Sequence, residues 1–391
     1  MSGPTWFLGL ELAGTGTHPA SWRRADSRAE DLFTARYWTT LVTEAERLGL
    51  DAVFLPDSFA VQEGGAGVVR GRLDAVAVAA RTAPLTRRIG LIPQVTVTHT
   101  EPFHVSKAIA ALDFASAGRA GWEVTVSPGT VEAKAFGRKD VQDAASLWHE
   151  AGEAVDVVTR LWDSWEDDAE IRDVPTGRFI DRDRLHYIDF TGDNFAVKGP
   201  SITPRSPQGQ SIVTVRADDE FSTALAVHRA DLIRVTAPDP ATAADRRRTL
   251  RAALAAEGRD PDQVRILLDL PVHLADSVST AEAEIAELDR WLGTVGTPTE
   301  TGSAALDGDL RLVGTAADLD ALLAESAGVV DGVVLRPLAL HATLAALTTH
   351  RGPGEPVEGL DTEGTAPTTF REQLGLPRPA SRYATPTGAI L

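Results

Sequence analysis

No cysteine occurs anywhere in the 391 residues, which excludes disulfides, thiolate nucleophiles and cysteine-ligated metals together. Basic residues are also scarce: 38 Lys and Arg stand against 56 Asp and Glu, a formal charge of −18 that repels phosphate backbones and anionic membrane surfaces. Nucleic acid and membrane are therefore not expected partners. No run approaches the roughly 18 apolar residues of a membrane span, and Met1 to Leu12 lacks a basic stretch followed by an apolar one, so the expected location is the cytosol. Metal-ligand patterns are missing too: the nine histidines are scattered, with no His-x-x-x-His or Glu-x-x-His pair on one helix face, and no metal is expected. The Gly-x-Ser-x-Gly elbow of α/β-hydrolases is absent as well.

What is present is an ordinary globular composition, 43% hydrophobic and 24% charged, in which short β-rich runs alternate with longer helical stretches. Strands are expected at Trp6 to Glu11, Asp51 to Leu55, Ile89 to Val97, Trp122 to Val126, Ser211 to Val215, Leu232 to Val235, Val264 to Leu270 and Gly332 to Leu335. Helices are expected between them, among others at Thr34 to Leu48, from Pro102 after a Thr100 cap, and over Gln142 to Trp165. Eight such units predict an α/β fold of the (β/α)8 TIM barrel type. A doubly wound sheet would need a Gly-x-Gly-x-x-Gly turn after an early strand, and Pro56-Asp57-Ser58-Phe59 is nothing like one.

The chain is thus divided into one barrel, 1–350, and a Pro- and Gly-rich tail, 351–391, expected to wrap the barrel or a neighbouring subunit. Residues 166–210 form a polar excursion before strand five, expected over the C-terminal face, and 293–309 a shortened insertion before the last unit.

Functional residues of such barrels gather where strands end. That rule selects His18 after strand one, Asp57 after two, Thr96 and Thr98 at three, Glu123 at four, Arg216 to Glu220 after five and Arg336 after eight. Asp57 reads equally well as a turn cap, and His18 as surface decoration. Glu123 in a short apolar strand needs a partner, with Arg216 the first candidate across the strands. Asp218-Asp219-Glu220 most simply complements a helix dipole.

Three segments resemble the luciferase-like flavin-dependent monooxygenases, in the nitrilotriacetate and dibenzothiophene-sulfone branch. They are Phe114-Ala115-Ser116-Ala117-Gly118-Arg119-Ala120-Gly121-Trp122, the stretch from Leu161 to Asp168 with Thr176 to Phe179 and Lys198 to Gly209, and Phe370 to Pro379. The resemblance implies reduced FMN supplied by a separate flavin reductase, O2, a small-molecule substrate, and a homodimer or heterodimer. It also implies that His18 and Glu123 stand at catalytic positions, and that Asp57, Thr96, Thr98 and Arg216 lie on the flavin side.

The departures from that family are local. Glu123 stands where the family has Asn, and Ala144 to Trp148 where it has His-Asp-Glu-Arg-Tyr. Arg216 to Glu220 stands where a Gln-Ala-Gly-x-Ser turn cradles the phosphate. Weakened FMN binding follows, or a changed flavin such as a deazaflavin. The alternative is a catalytically silent barrel, either a non-flavin subunit or a binding protein for a small molecule. A hydrolytic pair, Asp57 with Glu123 about 5–5.5 or 6.5–9.5 Å apart, is a third.

Overall fold

The computed structural model describes residues 6–61, 67–293, 309–352 and 368–383. Eight parallel strands close on themselves: β1 Phe7–Glu11, β2 Ala52–Leu55, β3 Gly90–Thr96, β4 Gly121–Thr125, β5 Ile212–Arg216, β6 Leu232–Val235, β7 Arg265–Leu274 and β8 Gly332–Pro337. Each pairs with the next, and β8 pairs with β1 through Phe7 opposite Gly332. All of β1, β2, β6, β7 and β8 is buried, because helices cover the outer face while the inner face packs on itself. β7 runs four residues beyond its expected end, and there it pairs with a short strand, Leu312–Gly314. None of the described helices is long and apolar enough to cross a membrane.

Helix boundaries follow their caps. Thr34 accepts from Tyr37 N–H to open Ala35–Arg47, and Gly49 takes φ +75° just beyond its end. Asp143, not Gln142, opens Ala144–Asp163. The helix Pro102–Ala115 begins at Glu101 with no side-chain cap, so the expected Thr100 cap is not made; Pro102 in its first turn removes one of the N–H groups left without an intrahelical partner. A short helix, Thr130–Phe136, was not foreseen.

The excursion 166–210 leaves and rejoins the barrel at its N-terminal end, with Asp193 reaching along the outside of the helix Ala144–Asp163 to His149, which corrects its expected place over the C-terminal face. The helix Ala144–Asp163 runs antiparallel to the strands and returns the chain to that end. There Gln208 donates to Asp113 and to the carbonyl of Ala120, immediately before β4. The excursion contains two short hairpins, Glu170–Asp173 with Arg178–Ile180 and Phe190–Thr191 with Ala196–Val197.

The described part of the tail seals the same end. Phe370 is fully buried among Phe7, Phe54, Ile92, Ile212, Leu232 and Leu267, the first layer inside the barrel. Its ring lies so close to Gly90 that a Cβ there would approach to 2.7 Å. Arg371 forks onto Asp231 at 3.0 and 2.9 Å, and Arg265 donates to the carbonyl of Leu374. Phe370→Leu should therefore lower stability by about 1–2 kcal/mol, less than the 3–5 of full aromatic truncation, seen as a lower urea midpoint with an unchanged slope. Residues 294–308 of the insertion, 353–367 and 384–391 lie outside the described residues.

Candidate active site

Above the apolar layer the barrel interior turns ionic. Arg234, third residue of β6, is 1% exposed and lies 4.6 Å over the Phe54 ring. Its guanidinium forks onto Asp269 of β7 at 2.7 and 3.0 Å, and donates to Glu123 of β4 and Glu11 of β1, each at 2.6 Å. Glu11 also accepts from Arg336 of β8 at 3.0 Å, and Glu123 from Gln94 of β3 at 3.3 Å. Four strands thus converge on one cation through three carboxylates. Neutralisation and hydrogen bonding are what make such burial tolerable.

The three carboxylates are not equivalent. Arg336 and Arg234 together hold Glu11 well below the usual carboxylate range against its burial. Burial pushes Glu123 up, and Arg234, shared with two other carboxylates, only partly offsets it. Arg234 is held firmly charged, its three carboxylates outweighing burial.

Arg216 is not the partner of Glu123, which corrects that expectation. Arg216 ends β5 level with Arg234 in the ladder, yet its contacts are looser ones, 3.6 Å to Asp269 and 3.5 Å to Asp218. Glu123 is buried inside the barrel, so the strand-four register is as expected.

The other predicted residues line the strand ends, each engaged with neighbours. Both oxygens of Asp57 accept backbone N–H groups, from Ser58 at 2.7 Å and from Ala75 at 2.9 Å, where the helix Ala75–Thr82 begins. The turn-cap role is thus the one its geometry shows. Burial raises its pKa. Thr96 shares a hydrogen bond with Ser127, and Thr98 accepts from the Ser127 N–H, so both tie the end of β3 to the loop after β4. Gln94 links the Asp57 N–H to Glu123, yet the two carboxylates are committed to separate donors. That leaves no free hydrolytic pair.

His18 is buried on the loop after β1. Its Nδ1 accepts from Ala20 N–H at 3.1 Å, which leaves Nε2 to donate to Asp289 at 3.1 Å. Burial holds its pKa below the ordinary value despite Asp289, and burial does the same at His273 and His341. Groups that fold in the neutral form stabilise above their unfolded pKa, near 6.5, and that stability is lost as pH falls below it. The thermal midpoint should accordingly drop on acidification from about pH 7 to 5.5, and His18→Gln should flatten the slope.

After β5 the expected phosphate turn is occupied from within. Asp219 caps the helix Glu220–Arg229, accepting from Ser222 N–H at 2.7 Å, while the Ser222 hydroxyl accepts from the N–H groups of Asp218 and Asp219. The donors that would cradle an anion are bound to the chain's own side chains. Asp218 and Asp219 add negative charge at the same place, and this helix start does not fit the phosphate of FMN. Trp148 is half-buried and packs against the core that Trp122 and Trp162 share.

Sequence reading missed Glu11, Arg234 and Asp269. A cleft of about 330 Å³ between Trp165, Asp167 and Arg205 lies at the other end of the barrel, away from the strand ends. One group of metal-type ligands exists among the described residues, His149, Glu153 and Asp193. Glu153 already accepts from the N–H groups of Asp193 and Asn194 there.

The profile of the luciferase-like monooxygenases matches residues 12–346. Similar proteins include the N-acetyl-S-(2-succino)cysteine monooxygenase of Bacillus subtilis (strain 168), 34% identical over 72% of this chain and 64% of that one. The matched stretch is thus just under two thirds of that relative's length. One of the subunits of pristinamycin IIA synthase from Streptomyces pristinaespiralis is 30% identical over 89% of this chain and 92% of its own. Among solved structures, the EDTA monooxygenase of Chelativorans sp. BNC1 superposes with a TM-score of 0.79 at 20% identity, covering 95% of this chain and 99% of that one.

Proposed function

The chain belongs to the luciferase-like monooxygenase family, and from that premise we propose that it is a flavin-dependent oxidoreductase of this type with a weakened hold on FMN. On this reading it uses O2 and reduced FMN from a separate reductase to oxidise a small organic substrate, and 1–350 act as one barrel with 351–391 as an appended tail. The observation that carries the weakening is the Asp219 cap, which takes the N–H groups an FMN phosphate would need.

His18 is the group we place against the substrate: it stands at a strand-end loop, holds a defined tautomer through Ala20 and Asp289, and stays neutral at pH 7. Glu123 acts with Arg234 and Gln94 as a positioning residue beneath it. Asp57, Thr96 and Thr98 shape the strand-end loops on the flavin side, and Arg216 lies at the rim.

A second reading, a silent barrel acting as the non-flavin member of a heterodimer, is favoured by the charged layer under the mouth and by likeness to a protein named as one part of a synthase. Turnover separates the two. With a flavin reductase, NADH and a panel of small thioethers and amines, product formation should rise nearly in proportion to FMN from one to hundreds of micromolar. Saturation at a few micromolar would contradict the weakened hold. No product at any FMN level would favour the silent barrel.

A further inference from the structure

Two guanidinium groups at the barrel mouth are only partly used. Arg216 Nε and Arg336 Nε lie 3.6 and 3.9 Å from the same Asp269 oxygen, so the two side chains meet from β5 and β8 on that carboxylate. Arg336 spends its Nε on Glu11, and its two terminal nitrogens make no hydrogen bond among the described residues. Besides that Nε contact, Arg216 makes only the long 3.5 Å contact of Nη2 to Asp218, and its Nη1 makes no hydrogen bond among the described residues. Their side chains are 11% (Arg336) and 25% (Arg216) exposed, at the C-terminal strand ends where ligands of such barrels bind. Arg234, by contrast, is saturated and sealed below them.

We propose that Arg216 and Arg336 form a receptor for a carboxylate-bearing small molecule at the mouth of the barrel. A guanidinium offers parallel donors that match a carboxylate, and two of them anchored side by side on Asp269 through Nε leave terminal nitrogens to share one. The surroundings select the anion. Glu11, Asp269 and Asp218 lie within contact distance of these arginines, so each added negative charge on the ligand meets further repulsion, and a singly charged carboxylate is accepted where a phosphate dianion is not. The inference deepens the oxidoreductase reading by naming a substrate class. Its test involves no flavin, so the two fail separately.

Acetate, succinate and inorganic phosphate are titrated calorimetrically into the full chain at constant ionic strength. At least one carboxylate should bind saturably in the millimolar range or tighter, and inorganic phosphate at least threefold more weakly. Arg216→Gln should weaken carboxylate binding at least tenfold, and Arg216→Lys, which keeps charge without the fork, by an intermediate factor. No saturable binding of either carboxylate, unchanged binding in Arg216→Gln, or phosphate binding tighter than both overturns the proposal. Should the variants fail to fold, the native chain still decides: carboxylate must shift the Arg216 and Arg336 Nε–H resonances ahead of other arginines, and a uniform response overturns it.

Discussion

Arg234→Met should cost about 3–5 kcal/mol and leave the chain largely unfolded at growth temperature, because it removes the one cation shared by Glu11, Glu123 and Asp269. Methionine fills much of the volume, so the loss is not mainly a cavity. It is the loss of the shared charge: Glu11 keeps Arg336, but Glu123 is left with only the Gln94 amide and Asp269 with only the distant Arg216 and Arg336, so these two must take a proton or draw in water. Lysine in its place keeps the charge but not the five-donor fork, and should recover only part of the loss.

The pH dependence carries the signature of this cause. In the native chain Glu11 folds with a depressed pKa, so its contribution is present above its unfolded value, near 4.3, and is lost as pH falls below it. In Arg234→Met Glu123 loses the cation that partly offsets its burial and is pushed further up, and such a group stabilises at low pH and destabilises as pH rises. The gap between variant and native chain should therefore narrow from pH 7 towards pH 4.5 in urea melts. A variant within about 1 kcal/mol of the native chain at pH 7 would show that the layer is hydrated rather than sealed.

How far the sequence foretold this site depended on one rule and where it was applied. The barrel was legible because parallel strands buried on both faces read as short apolar runs, and all eight fell within a few residues of their places. The same rule that a charge in a buried strand needs a partner singled out Glu123. It applies equally to Arg234 in Leu232–Val235, to Asp269 in β7 and to Glu11 ending β1. Taken together those four charges, contributed by strands far apart in sequence, would have indicated a charged inner layer. Which arginine meets Glu123 was not legible, since side-chain reach across a closed barrel depends on stagger: Arg216 and Arg234 are register partners, yet only Arg234 reaches the centre. The excursion was misplaced for a simpler reason, that a loop following a helix returns to the N-terminal face. At Asp57 the turn-cap reading matches the geometry, and Asp219, read as a complement to the helix dipole, goes further and caps that helix.

Weakened FMN binding is the second large effect expected, and the helix start after β5 is its proposed cause. A phosphate near Asp218 and Asp219 meets like charge worth about 1 kcal/mol per close pair even in water, and it must also displace the Asp219 cap from Ser222 N–H. Asp218→Gly with Asp219→Ser removes both charges and keeps a hydroxyl able to cap the helix, so the fold is retained. Two such pairs relieved correspond to roughly a 10- to 100-fold gain in affinity.

Fluorescence titration of FMN into the native chain and this double variant, side by side, tests the account most directly. The native chain should show no saturation below hundreds of micromolar, and the double variant should bind at least tenfold more tightly. A dissociation constant at or below about 1 µM for the native chain, roughly −8.2 kcal/mol, would contradict it.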